Sequence, residues 1–196
     1  MVDAKTVQKL REKTGVGMMV CKEALREAGG DIEKAVEILR KKGAAKAVKH
    51  SGRSAKEGVV DSYIHLGGKI GVLLEMSCET DFAAKSKDFK ELAKDICMHI
   101  AASNPLYIKR EDVPNELIAK EKEIFKAQVQ NKPAAAIDKI VEGKLEKFYE
   151  DTCLLEQPFV KNPDMTIKEY IVSHVAKIGE NIVIRRFSRY QLGEEA

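Results

Sequence analysis

Residues 59–82 read VVDSYIHLGGKIGVLLEMSCETDF. Val59 to Leu66 is a β-rich run, Gly67-Gly68 interrupts it, and Lys69 to Ser77 is a second such run. Two β-rich runs joined by a glycine pair predict a hairpin, because glycine reaches the positive φ angles that so tight a turn needs. Thr80-Asp81-Phe82 then follows the second run directly and precedes a long helical pattern. An aromatic at a loop tip beside an aspartate has two readings. Either Phe82 folds back onto its own domain, or it inserts into something else.

On the C-terminal side, Phe89, Leu92, Ala93, Ile96, Cys97 and Ile100 recur at helical spacing and predict an amphipathic helix. Asn104-Pro105 ends it, and Pro114 opens another helix that runs to about Gln130. After Pro133, residues 134–155 are again helical, with a break expected near Gly143. Thr166-Ile167-Lys168-Glu169 is a capping-box pattern. It opens a helix with Ile167, Tyr170, Ile171, His174, Val175 and Ile178 on one face, closed by Gly179. Asn181 to Gln191 is the last β-rich run, placed to join the hairpin in a small antiparallel sheet.

On the N-terminal side, residues 3–43 read as three short helices. Asp3 caps the first, which carries Val7 and Leu10, and Thr14-Gly15-Val16-Gly17 breaks the chain. Met18 to Ala28 forms the second, ended by Gly29-Gly30. Asp31 caps the third, with Ile32, Ala35, Val36 and Leu39 on one face and Gly43 as its stop. Residues 44–57 read as a helical or flexible linker. The expected fold class is therefore α+β: a three-helix bundle over 1–43, a linker over 44–57, and an α+β domain over 58–196 with a small antiparallel sheet and helices.

The composition bounds the function. The chain has 196 residues, 44% hydrophobic and 33% charged, with no Trp. No apolar run approaches the roughly 20 residues that a membrane span needs. Met1 to Lys13 is amphipathic without an apolar signal region, so a cytoplasmic protein is expected, or one in an organelle matrix after loss of a transit peptide. Cys21, Cys78, Cys97 and Cys153 form no CxxC pair and read as buried reduced thiols. Charge is uneven: residues 1–56 hold 14 Lys/Arg against 7 Asp/Glu, and residues 57–196 hold 20 against 24. The positive N-terminal part suits an acidic protein surface or a nucleic acid.

Little here carries bond-making chemistry. His50, His65, His99 and His174 share no metal-binding or triad spacing. Gly15-Val16-Gly17 follows no strand and lacks the rest of a dinucleotide fingerprint, so it reads as a turn. No cofactor and no enzymatic activity are expected. The basic stretch Lys41 to Arg53, KKGAAKAVKHSGR, reads as a solvated linker or as a phosphate contact, but it lacks interleaved aromatics for stacking. Met18 and Met19 are adjacent, and adjacent helical positions cannot both face one core stripe. At least one is exposed, either as a casual surface residue or as an adaptable contact for a partner groove.

Together these segments resemble elongation factor Ts, over almost the whole chain. Leu10 to Met19 (LREKTGVGMM) followed by Cys21-Lys22-Glu23-Ala24-Leu25 resembles that family's N-terminal signature. Thr80-Asp81-Phe82, preceded by Glu75 and Cys78, resembles its second. Leu155-Glu156-Gln157-Pro158-Phe159-Val160 resembles a third, and Lys177 to Ile182 with Arg185-Arg186-Phe187 resembles the family's ending. Val20 and Ala83 depart from the usual Asp and Val. The length is similar to the short forms, for which the resemblance implies a homodimer.

The resemblance also implies a mechanism. The expected function is guanine nucleotide exchange on elongation factor Tu, a GTPase that holds GDP and Mg²⁺. The N-terminal bundle is similar to a ubiquitin-associated fold, and Arg11, Met18 and Met19 match its docking positions. Thr80, Asp81, Phe82 and Ala83 match the segment that dislocates the partner's Mg²⁺, with Phe82 as wedge and Asp81 disturbing the groups that hold the ion. No direct nucleic acid and no membrane are expected as partners. The competing readings are a nucleic-acid-binding module using the basic N-terminal region and an adaptor acting through the bundle.

Overall fold

The Asp3 carboxylate accepts the Thr6 backbone N–H at 2.9 Å and starts α1 (Ala4–Thr14) in the computed structural model, which describes residues 2–129 and 133–194. Gly15 ends it, and α2 (Met18–Glu27) and α3 (Ile32–His50) follow, the last capped by Asp31 on Lys34 N–H at 3.1 Å. Val7, Leu10, Cys21, Ala24, Leu25, Ala35 and Leu39 close a common core. The bundle thus forms as its periodicity predicts, with one correction. Gly43 does not stop the third helix, which continues to His50 and takes up the first half of the expected linker. A Cβ on Gly43 would lie 3.3 Å from the Cβ of Ala176, so close approach of another helix explains this glycine.

Gly67 and Gly68 take φ of 89° and 68° and turn β1 (Glu57–Ile64) back on β2 (Ile70–Cys78). The His65 N–H donates to the Ile70 carbonyl at 2.9 Å, closing the hairpin. The chain continues through α4 (Asp81–Lys85), α5 (Lys87–Ser103), α6 (Asn115–Gln128) and α7 (Ala134–Thr152). A two-stranded antiparallel ribbon, β3 (Pro158–Phe159) with β4 (Asn162–Thr166), then leads into α8 (Ile167–Ile178) and β5 (Val183–Gln191). The main sheet has the order β1-β2-β5, so the hairpin and the C-terminal strand share β2. The fold class is α+β, as the pattern predicts.

Three details differ from the sequence reading. Helix α7 passes through Gly143 without a break, since an exposed glycine costs a helix only about 1 kcal/mol. Phe82 lies on the short helix α4, not on an irregular loop. The ribbon β3–β4 was not foreseen. The expected end of α6 near Gln130 lies outside the described residues.

Contacts divide the chain into two compact units. The first comprises the residues up to Asp61, Leu74–Asp95 and Glu169–Arg185, and so holds the bundle, α4 and most of α8. The second comprises Ser62–Leu73, Ile96–Lys168 and the residues from Arg186 onward.

Within the second unit, a polar hub occupies the interior. The Gln157 amide donates to the Asp151 carbonyl at 2.8 Å, and its Oε1 meets His99 Nε2 at 2.9 Å. The His99 Nδ1 accepts the Val160 N–H at 3.3 Å, so the ring proton sits on Nε2. Burial holds His99 below the usual histidine value, against the opposing effect of the hydrogen bond that it donates to Gln157. Protonation would also set an Nδ1 proton against the Val160 N–H.

The hub responds both to substitution and to pH. Gln157→Leu strands buried donors and acceptors and is expected to lower the unfolding free energy by about 1–3 kcal/mol, read as a lower urea midpoint. The unfolded chain protonates His99 near 6.5 while the folded chain resists, so the unfolded state binds more protons and stability falls as pH drops below that value. Urea midpoints at pH 7.5 and 5.5 are expected to fall further for the native chain than for His99→Gln. Equal falls would contradict the assignment.

Candidate functional site

Thr80 begins the site. Its backbone is extended (φ −129°, ψ 154°), and its hydroxyl oxygen accepts the Ala83 N–H at 3.2 Å, capping α4. The helix turn sends consecutive side chains in different directions. Ala83 and Ala84 are buried, while Phe82 is 90% exposed. Phe82 therefore does not fold back onto its own domain. A phenyl ring left in water on a capped helical turn is an unsatisfied apolar surface. Asp81 faces solvent and pairs with Lys85 at 2.5 Å one turn on. An exposed i,i+4 pair contributes little, so it leaves the carboxylate open to exchange for a partner group.

The turn before α4 is held from a distant part of the chain. The Glu180 Oε2 accepts the Glu79 N–H at 3.1 Å and the Thr80 N–H at 3.0 Å. Its Oε1 accepts the Thr80 hydroxyl at 2.6 Å. In return, the Asn181 N–H donates to Glu79 Oε1 at 2.7 Å. The Asn181 side-chain amide donates to the Arg53 carbonyl at 2.9 Å, just beyond the end of α3. Arg53 lies 3.5 Å from the other Glu79 oxygen. Cys78 adds its S–H to the Thr80 carbonyl at 3.2 Å. Burial, reinforced by the nearby Glu180 charge, pushes that thiol up to about 11, so it stays a protonated donor. His50 is also buried here, 3.9 Å from Glu79, and burial holds it below the usual histidine value.

The bundle carries a second exposed set. Arg11 is exposed on α1, and Met18 and Met19 open α2 at 44% and 66% exposure. Val20 is exposed beside them. Both methionines face solvent, where the sequence required only one. The reason is local: Cys21, Ala24 and Leu25 take the core positions of α2. Gln8, Arg11, Glu12, Gly15 and Met18 line an open hollow together with Lys177. Lys177 is fixed there by Asp88 at 2.6 Å. The structure thus gathers Arg11 and Met18 on one hollow, with Met19 next in sequence, and brings Thr80 to Phe82 together on a separate tip in the same unit.

Some features were missed in the sequence. Thr80 followed by Asp81 in a first helical turn is a readable capping signal for α4. Nothing local marks Glu180 as its partner. Among the described residues, no three His, Cys, Asp or Glu are grouped to hold a metal ion, and no helix is long and apolar enough to cross a membrane. All four cysteines are free and buried, as expected.

The fold and these two exposed sets define an α+β protein whose distinctive surfaces are suited to contact. Comparison with known proteins gives the family. The family model described as "Elongation factor TS" matches residues 3–194. The chain is 60% identical to elongation factor Ts of Carboxydothermus hydrogenoformans, over 99% of this chain and 90% of the relative. It is also 60% identical to elongation factor Ts of Thermodesulfovibrio yellowstonii, over 98% and 97%, and 58% identical to that of Caldanaerobacter subterraneus, over 99% and 98%. The chain belongs to the elongation factor Ts family, and with that membership comes a role in translation elongation.

Proposed function

We propose that this protein is a guanine nucleotide exchange factor for elongation factor Tu, acting in the cytoplasm by contact alone and not as an enzyme. The observation that carries the reading is Phe82, an almost fully exposed aromatic on a capped turn that is held from behind. A wedge needs both properties. It must be free at its tip, and its base must not yield when it meets resistance.

In this reading the bundle, residues 1–43, docks on the GTPase through Arg11, Met18 and Met19, and residues 44–57 connect it to the core. Met side chains suit such a surface because they adapt to the groove they meet. Phe82 then inserts near the partner's Mg²⁺, and Asp81 exchanges Lys85 for groups that hold the ion. Thr80 and Ala83 act from beneath, as cap and packed base. Mg²⁺ demands near-ideal octahedral geometry, so small shifts of its ligands weaken it, and GDP phosphate charge is then less compensated. Coupling is reciprocal: the factor and GDP weaken each other's binding by the same ratio. Nothing in this scheme prefers GTP, so nucleotide concentrations set the direction.

Phe82→Ala is expected to lower the maximal rate of GDP release from elongation factor Tu by roughly 5–150-fold, with the half-saturating concentration unchanged. Replacing Met18 and Met19 together by Ala is expected to do the reverse. Stopped-flow release of a fluorescent GDP analogue across factor concentrations separates the two. Equal loss of both parameters in Phe82→Ala would make Phe82 an anchor and not a wedge.

We further propose that the active form is a homodimer. In the second unit, Ile64, Leu66, Leu73, Tyr190 and Leu192 are all exposed. A Cβ on Gly71 would lie 3.0 Å from Ile64 Cδ1, so Ile64 and Leu73, two residues on from Gly71, share one sheet face. Sedimentation equilibrium is expected to give twice the 21.8 kDa chain mass, and Leu73→Asp to shift it toward the single chain. A native chain that sediments as a monomer would remove the dimer.

A further inference from the structure

We infer that Glu180 is a positioning residue for exchange, which sets the attitude of the Phe82 wedge without touching the partner. The inference rests on the exchange-factor reading and names a part of its machinery that lies about 100 residues from the tip in sequence.

Thr80 has a single hydroxyl proton and must also accept the Ala83 N–H to cap α4. Donating that proton to Glu180 Oε1 at 2.6 Å turns the oxygen lone pairs toward Ala83. The charged carboxylate therefore orients the cap as well as anchoring it. Its other oxygen takes the N–H groups of Glu79 and Thr80, the two peptides that aim the chain into α4. Hydrogen bonds to an ionised acceptor are stronger than neutral ones, so this turn is held by three of the stronger kind. Glu180 itself is fixed by its neighbour. Asn181 returns a backbone bond to Glu79 and a side-chain bond to the Arg53 carbonyl. No bond in the set reaches Phe82, whose ring stays free. The helix α4 is only five residues long and has little stability of its own. Without Glu180, its first turn keeps the Thr80 cap but loses the bonds that fix where the turn points.

The test is GDP release from elongation factor Tu with Mg²⁺ present, measured to saturation. Glu180→Ala and Thr80→Val are expected to lower the maximal rate toward that of Phe82→Ala and to leave the half-saturating concentration within about twofold. Glu180→Gln is expected to fall between, because its one carbonyl oxygen can keep both amide bonds but cannot also accept the Thr80 hydroxyl. Thr80→Ser retains the hydroxyl and is expected to match the native chain. Glu180→Ala added to Phe82→Ala is expected to lower the rate no further, since positioning has no value once the wedge is gone. A general loss of structure would not give this pattern. It would move half-saturation and add to Phe82→Ala. Full activity of Glu180→Ala beside a slow Phe82→Ala would overturn the inference and leave the exchange reading standing. Full activity of Phe82→Ala would remove the wedge itself, and the inference with it.

Discussion

The carboxylate of Glu180, shared among two backbone N–H groups and one hydroxyl of the Glu79-Thr80 turn, is the constraint on which the tip depends. A buried or half-buried backbone donor must find an acceptor, and a chain leaving a strand for a helix presents several at once. This protein supplies the acceptor from about 100 residues further along the chain, where α8 gives way to β5. The exchange with Asn181 makes the junction reciprocal, so neither turn can shift without the other. Arg53 and the Asn181 amide extend the same junction to the segment that follows α3. The segment leading out of the bundle and the base of the tip are therefore secured at one place.

That arrangement suits the displacement proposed for the Phe82 tip. Cys78, His99 and His50, whose protonation burial shifts, are interior residues with structural partners or neighbours. At the surface of the first unit, Phe82, Met18 and Met19 are among the large apolar side chains that stand in water. In the proposed exchange the free energy comes from binding the partner, so stiffness behind Phe82 determines how much of it would reach the nucleotide site.

The sequence shows most clearly what is decided locally. The Gly67-Gly68 turn, the Asp3 and Asp31 caps, and the apolar stripe from Phe89 to Ile100 each answer to neighbours a few residues away, and each reads correctly. Gly43 misleads because its reason is Ala176, far along the chain. Gly143 misleads in the opposite sense, since nothing lies near it and the helix simply absorbs its cost. The family resemblance marks Thr80 to Phe82 and the Lys177 to Ile182 segment as separate motifs. Only the folded chain shows that Glu180 of the second holds Thr80 of the first. Gln157 likewise sits in a recognisable motif, but its tie to His99 needs the fold to appear.

The most direct measurement is release of a fluorescent GDP analogue from elongation factor Tu with the native protein at substoichiometric amounts. Each molecule of factor is expected to discharge many molecules of GTPase, with acceleration that saturates and falls as free Mg²⁺ is raised. Release at the spontaneous rate, with the GTPase folded and Mg²⁺ present, would contradict the exchange reading and leave the exposed tip without its proposed task.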